Sequence, residues 1–312
     1  MTTPPDLAAA AFRTELLDAG LLIPTGVDGL YGRSAAYEQV AEGLERAISA
    51  MTAADGAERM RFPPLLSRQE FLASGYLKGF PHLAGTISCF CGNEADHRRL
   101  LQCIEADEDW SALQQPAEVV VTPAACYPVY PVVARRGPLP EAGLLVDVSS
   151  YCFRHEPSVD PCRMQMFRMR EQVRIGTAAQ VLAFRNAWLE RGADWIRRLG
   201  VPVTTDLASD PFFGRAGKLM ADGQIGQQLK FELLIPVSSA DAPTACLSCN
   251  YHMTHFSEIW PLRTPDGNLA HTGCVAFGID RLTLALFRHH GFDLNAWPAD
   301  VRGQVFASEV FT

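Results

Sequence analysis

The sequence predicts an α+β fold in which an antiparallel sheet is flanked by helices. Two observations carry this. Several short segments with strand-like composition follow one another through hairpin-like connections, and the long amphipathic segments stand apart from them instead of alternating one for one. The strongest pair is Ser149–Glu156 and Gln165–Val173, which flank PSVDPCR with Pro and Asp where a tight turn needs them.

Taken along the chain, Asp6–Asp18 reads as a short helix and Ile23–Ser34 as a glycine-rich turn region. Over Tyr37–Met51, the apolar residues Val40, Leu44, Ala47, Ile48 and Met51 recur at helical spacing. A short strand, Arg59–Phe62, follows and stops at Pro63-Pro64. Ala117–Pro128 reads as a strand running into a loop, and Thr177–Leu199 as a long helix. Leu229–Pro236, Ala245–His252 and Thr272–Ile279 read as further strands, and Asp280–His290 as a helix. No repeat or low-complexity block interrupts the series, and linkers are too weakly marked to place a domain boundary within residues 1–312.

Composition narrows the partners. The chain is 48% apolar and 20% charged, the balance of a globular protein with a sizeable core. With 27 basic and 35 acidic residues the net charge is −8, and no Lys/Arg-rich run offers a long phosphate backbone its counter-charge. A tRNA partner is therefore disfavoured. The N-terminus lacks the pattern of a secretory signal, and no run approaches the ~18–20 apolar residues of a membrane span. Nine cysteines, an odd number, suit a reducing cytoplasm better than a disulfide framework.

Chemistry concentrates in YCFRHEPSVDPCRMQMFRMREQV. Strand parity would place Cys152, Arg154 and Glu156 on one face, and Arg163, Gln165, Phe167, Met169 and Glu171 on the facing strand. Ordinary surface ion pairs would give the same pattern. In HTGCVAFGIDRLTLALF, Cys274, Ala276 and Gly278 share a face with room for a ligand, and Arg281 stands at a sheet-to-helix junction. Cys246-x-x-Cys249 and Cys89-x-Cys91 make a poor zinc ribbon and read as strand or core cysteines. His252, His255, His289 and His290 read as surface or structural.

Phe153-Arg154-His155-Glu156, a loop and Arg163-x-x-x-Phe167 resemble motif 2 of the class II aminoacyl-tRNA synthetases. Gly273–Leu282 resembles their motif 3, with Phe277 and Asp280 departing from the commonest residues, and the helix ending at Arg61–Pro64 a degenerate motif 1. The resemblance implies the catalytic-domain fold of that class, a homodimer, and ATP with Mg²⁺. It implies that Arg154 holds the α-phosphate and the amino-acid carboxylate, Glu156 the adenine amino group, and Arg163 the γ-phosphate. Phe167 and Arg281 would stack on either side of adenine, Arg281 also reaching the γ-phosphate, with Lys230, Ala245 and Ser248 completing the ATP site. Asn250 would join Cys126, Arg154 and Glu171 around the amino acid.

TPAACYPVYPVVARRG, SYCFRHEPS, FRMRE and DPFFGRAGK resemble the amino acid–carrier protein ligases, relatives of the zinc-dependent seryl-tRNA synthetases of methanogens. That likeness implies one zinc ion per subunit on Cys126, Glu171 and Cys274, a donor set suited to an open zinc site. It further implies activation of glycine or alanine and transfer to the phosphopantetheine of a carrier protein. A core of that kind would take up the chain almost completely and leave little room for a tRNA-binding arm, which favours a smaller acceptor. An excursion at about 210–228 bearing Arg215 and Lys218 is the expected docking element for an acidic carrier helix. A minimal tRNA-charging enzyme and a non-catalytic binding protein are the alternatives.

Overall fold

The computed structural model describes residues 5–306. It opens with α1 (Pro5–Asp18), the hairpin β1 (Leu22–Pro24) and β2 (Tyr31–Arg33), and α2 (Ala35–Thr52). A strand, β3 (Glu58–Arg61), leads to β4 (Leu65–Ser67), α3 (Arg68–Ala73), α4 (Tyr76–Gly79), β5 (Thr86–Phe90), α5 (Glu94–Glu105) and β6 (Gln114–Val121). Next come α6 (Val129–Ala134), the long strands β7 (Leu144–Phe153) and β8 (Met166–Gly176), and α7 (Ala178–Arg198). The chain continues through β9 (Thr204–Leu207), α8 (Gly214–Gly226), β10 (Lys230–Ile235) and β11 (Thr244–Met253). It ends with α9 (His255–Ile259), β12 (His271–Gly278), α10 (Ile279–His290) and α11 (Ala299–Val305).

Seven strands form the central sheet in the order β3-β7-β8-β12-β11-β10-β9. Every neighbouring pair is antiparallel except β3 with β7. The predicted α+β class with an antiparallel sheet is therefore what the chain adopts. Polar caps mark two helix starts. Ser34 accepts the Tyr37 N–H ahead of α2, and Thr177 forms a capping box with Gln180 ahead of α7.

One face of the sheet is dry. Val275 and Phe277 of β12, with Leu233 and Ile235 of β10, pack against Ile48 of α2, Trp188 and Ile196 of α7, and Leu284 and Phe287 of α10. A Cβ on Gly273 would stand 2.6 Å from the Asn250 carbonyl oxygen and 2.7 Å from Val181, so the missing side chain lets α7 lie against the strands. On the opposite face, Tyr130 of α6 with Phe256 and Trp260 covers one end, and the other end stays open. A second sheet, β4-β6-β5, closes over its own core of Leu66, Phe71, Tyr76, Leu83 and Val120.

Buried charges tie the dry face together. Asp280 accepts from Arg33 Nε at 2.9 Å, Arg168 Nη2 at 3.0 Å, the Arg168 backbone N–H at 2.5 Å and the Tyr37 hydroxyl at 3.2 Å. Arg168 also meets Glu38 at 2.6 Å, and Arg170 binds Asp147 through Nε at 2.9 Å. Strand β8 thus carries functional-looking polar residues on both faces, where parity had been read for one only.

Two sequence expectations are corrected. The strand expected over Ser149–Glu156 stops at Phe153 and starts five residues earlier, and its partner begins at Met166 instead of Gln165. Arg154, Glu156, Arg163 and Gln165 therefore lie on the connecting loop, where Pro157 and Pro161 cannot supply ladder N–H groups. The glycine-rich region Ile23–Ser34 contains a small hairpin, with Gly26 and Gly29 at positive φ turning the chain.

Asp147 and Arg170 are each about 2% exposed, so removing one strands the other's charge in the core. Asp147→Ala is expected to lower unfolding stability by about 3–5 kcal/mol, measured by denaturant titration; Asp147→Ala with Arg170→Met should recover much of the loss.

Candidate active site

A cavity of about 720 Å³ occupies the open face of the central sheet. Its floor follows strand parity: Phe167, Met169 and Glu171 from β8, Cys274, Ala276 and Gly278 from β12, Ser248 and Asn250 from β11, and Lys230 and Glu232 from β10. Tyr76 and Phe80 wall it on one side, and Asp210, Phe212 and α8 residues including Gln224 on another. Phe80 stacks on Phe212 with ring centroids 4.8 Å apart, which joins the two walls.

Arg154, although on the loop, turns into the cavity. Its guanidinium lies 5.4 Å from the Phe167 ring centroid, and its Nε donates to the Pro123 carbonyl at 3.4 Å. Arg281 is fixed at the mouth of β12 by donating Nε to the Cys162 carbonyl at 2.8 Å and Nη1 to the Ala245 carbonyl at 2.9 Å. Neither guanidinium has a carboxylate partner within salt-bridge distance among the described residues. Glu156 lines the cavity, whereas Arg163 does not; it pairs with Glu156 at 3.1 Å and remains half exposed. Gln165 leaves the site altogether and donates to the Asp28 carbonyl. Arg215 and Lys218 are exposed on α8, outside the cavity lining.

Lys230 is held by Asp210 at 2.7 Å and Glu232 at 3.0 Å. Burial opposes its charge, but the two carboxylates more than offset this and raise its pKa above the ordinary lysine value. Asp210 is likewise depressed: burial works against its charge, and Lys230 outweighs that. Gln224 donates to the same carboxylate at 2.9 Å, which anchors α8 to the cavity floor.

Cys126, Glu171 and Cys274, three buried residues from separate segments, bring one ligand atom each to within 4.8 Å of one another. Glu171 accepts the Cys126 N–H at 3.0 Å. Burial raises the Glu171 pKa above the usual carboxylate range. Cys126 accepts from Cys274, which favours its thiolate, yet burial and Glu171 push it up to about 11. Cys274 lies well above the ordinary thiol value because it donates to Cys126 and is buried. Three acids that burial holds above their ordinary pKa values in one dry pocket fit a divalent cation, which ionises all three at once. Cys89 and Cys91 stay exposed and Cys246 and Cys249 enter the dry core, so no zinc ribbon brings them together.

Sequence reasoning missed several neighbours. Asp210 and Tyr130 lie in segments that carry the family resemblance but receive no role from it, and Glu232 lies in none; their places at the site emerge only from the fold. His252, read as surface or structural, is buried with Nε2 3.8 Å from Cys274 Sγ and Nδ1 3.1 Å from the Thr272 hydroxyl. Burial holds it neutral, with its pKa down at about 4. His289 and His290 are structural, each bonding a backbone carbonyl.

No protein-family model matches the sequence. The chain is 50% identical over 277 residues to amino acid–acyl-carrier-protein ligase 1 of Bradyrhizobium diazoefficiens, an alignment covering 89% of this chain and 85% of that protein. It is 47% identical over 277 residues to ligase 2 of the same organism, covering 89% and 83%. A type-2 serine–tRNA ligase of Methanococcus aeolicus is 27% identical over 60% of this chain and 37% of its own. Among solved structures, the fold matches the M. kandleri seryl-tRNA synthetase bound to A. aeolicus tRNASec, with a TM-score of 0.79 and 18% identity over 95% of this chain and 60% of that one. It also matches Giardia lamblia prolyl-tRNA synthetase, with a TM-score of 0.68 and 12% identity over 93% and 53%. The expected class II synthetase fold and the resemblance read from the motifs both hold: the chain belongs to the amino acid–acyl-carrier-protein ligase family, built on the catalytic fold of the class II aminoacyl-tRNA synthetases.

Proposed function

We propose that this chain activates a small amino acid, glycine or alanine, with ATP and passes it to the phosphopantetheine thiol of a carrier protein. The observation that carries the reading is one cavity holding a metal-type acid cluster together with two guanidinium groups that have no carboxylate partner among the described residues. In the first step a carboxylate oxygen of the amino acid bonds to the α-phosphorus as the bond to the β-phosphate oxygen breaks, giving an aminoacyl-adenylate and pyrophosphate. In the second, the carrier thiol loses its proton and its sulfur bonds to the acyl carbon as AMP leaves.

Arg154 would bind the carboxylate and the α-phosphate, holding both reactants in line. Arg281, Arg163 and Lys230 would bind the outer phosphates, with Mg²⁺ arriving on ATP, so charge developing on the leaving pyrophosphate meets fixed donors. Arg163 and Lys230 would each exchange a carboxylate partner for phosphate. Phe167 would stack on adenine, Glu156 accept its amino group, and Ala245 and Ser248 line the nucleotide from β11. Asn250, Cys126 and Glu171 would surround the amino acid. A zinc ion on Cys126, Glu171 and Cys274 would offer the substrate α-amino group an open coordination position.

The same reading makes residues 1–312 one catalytic domain, paired in a homodimer in the cytoplasm. No helix among the described residues is long and apolar enough to cross a membrane. Exposed Arg215 and Lys218 on α8, next to the solvent-facing Leu219 and Phe213, suit an acidic carrier helix.

Incubated with ATP, Mg²⁺, zinc and glycine or alanine, the protein should add the mass of one amino acid to a holo carrier and none to the apo form. Label appearing on bulk tRNA instead would overturn the acceptor assignment. Arg281→Ala should cut adenylate formation by about 10²–10³-fold, read by pyrophosphate exchange on protein shown to be folded by circular dichroism, with a modest drop in melting temperature from the two lost carbonyl contacts. Arg215→Glu with Lys218→Glu should slow transfer to the carrier about 10-fold while leaving pyrophosphate exchange untouched.

Metal removal should expose a pH dependence of definite sign. With Glu171 and Cys126 raised, the folded metal-free chain keeps protons that the unfolded chain releases, so its stability falls as pH rises. The loss should run upward from about pH 4.5 through Glu171's raised value, and again between about pH 9 and 11. Zinc-loaded protein, whose two thiols have already lost protons that the unfolded chain still holds, should instead gain stability as pH rises toward the ordinary thiol value of about 9, and should melt at a higher temperature in thermal scans.

A further inference from the structure

Tyr130 is fully buried, and its hydroxyl has no hydrogen-bond partner. A buried, unpaired O–H is unfavourable unless an acceptor arrives. The residue lies four positions beyond Cys126, across a turn closed by the Val129 N–H on the Cys126 carbonyl at 2.9 Å. Its ring is held in place, stacked on Phe256 at 4.1 Å and 14° and nearly parallel to Trp260 at 6.1 Å. The phenol stands beside the Cys126 thiol as a loose donor, easing the thiol's ionisation and opposing its own, although the contact falls short of hydrogen-bond geometry.

The other two members of the acid cluster already have donors from outside it or from its backbone. Glu171 accepts the Cys126 N–H, and Cys274 receives the Asn250 side-chain amide at 3.4 Å with His252 Nε2 at 3.8 Å. Among the described residues Cys126 Sγ receives no hydrogen bond of normal geometry from outside the cluster, and the Tyr130 hydroxyl, which makes none either, is the donor placed beside it. A neutral thiol is a weak acceptor, whereas a thiolate takes a strong, charge-assisted hydrogen bond. We infer that Tyr130 is a positioning residue for the metal site, whose O–H donates to the Cys126 sulfur when that sulfur is a metal-bound thiolate. This rests on the metal reading given above. The bond would fix the direction of the Cys126 lone pairs and draw charge from the sulfur, leaving the ion a stronger electrophile toward its fourth ligand.

The consequence is opposite in the two states of the protein. Without metal the hydroxyl is a liability, so Tyr130→Phe should melt at or above the wild-type temperature. With metal it is a support, so Tyr130→Phe should bind Zn²⁺ about 10–100-fold more weakly in competition with a chromophoric chelator. Loaded with Co²⁺, the variant should shift the sulfur-to-metal charge-transfer band relative to wild type, a signal that a packing role would not move. Tyr130→Met, which fills the space without a hydroxyl, should repeat both results if the Phe variant folds poorly. A folded variant with wild-type Zn²⁺ affinity and an unmoved Co²⁺ band would overturn the inference alone. Wild-type protein that takes up neither ion would overturn the metal reading and this inference together.

Discussion

Asp280 holds one negative charge at the foot of α10, nine-tenths hidden from water and surrounded by groups that are useless to one another without it. Arg33 comes from the N-terminal hairpin, Arg168 from the middle of β8, and Tyr37 from the first turn of α2. A buried guanidinium without its partner is strongly destabilising, so each of these segments can sit in only one place relative to α10. Arg281, the next residue, inherits that precision. It spends its own donors on the Cys162 and Ala245 carbonyls and so also pins the loop after β7 to β11. The cationic end of the cavity is thereby positioned by a carboxylate on the other side of the sheet.

The parts of this arrangement that were legible in the sequence are those where a period and a face coincide. Phe167, Met169 and Glu171, and Cys274, Ala276 and Gly278, alternate along regular strands, and the cavity floor uses them accordingly. Parity lost its meaning at Arg154 and Arg163, because the ladder ends before them and a proline-bearing loop aims them. The first half of β7, LLVDV, is buried on both faces and shows no alternation to read. Residues 65–113 escaped because their strands and helices are three to six residues long apart from α5, too short to display a period. Grouping Cys126 with Glu171 and Cys274 came from resemblance to a known family; their spacing along the chain gives no hint that they meet.

Floor and wall of the cavity are built to different standards. The floor is a continuous antiparallel ladder with a packed helical layer behind it, and opening it would cost much of the fold. The α8 wall is held by the Gln224–Asp210–Lys230 hydrogen bonds and the Phe212–Phe80 stack, while Leu219 is 75% and Phe213 60% exposed. A segment with so few buried contacts separates at low cost, which would suit the entry and exit of ligands through this wall.

The two ends of the cavity also differ in sign. Two thiols and a carboxyl, with only neutral His252, Asn250 and Tyr130 beside them, form one pole, which stays net negative by one charge after a divalent ion is added to the ionised cluster. Arg154 and Arg281 form the other, with no carboxylate paired to either among the described residues. With a divalent ion on the ionised cluster, the space between them would carry an electric field, in surroundings of lower dielectric than water. A zwitterion is a dipole, and in such a field it has one favoured direction, ammonium toward the sulfur end and carboxylate toward the guanidinium end. Molecules of the same size that lack either charge, such as an amide or an N-acylated acid, would feel little of this torque. Polarity alone can therefore sort free amino acids from their blocked derivatives before any side chain is measured.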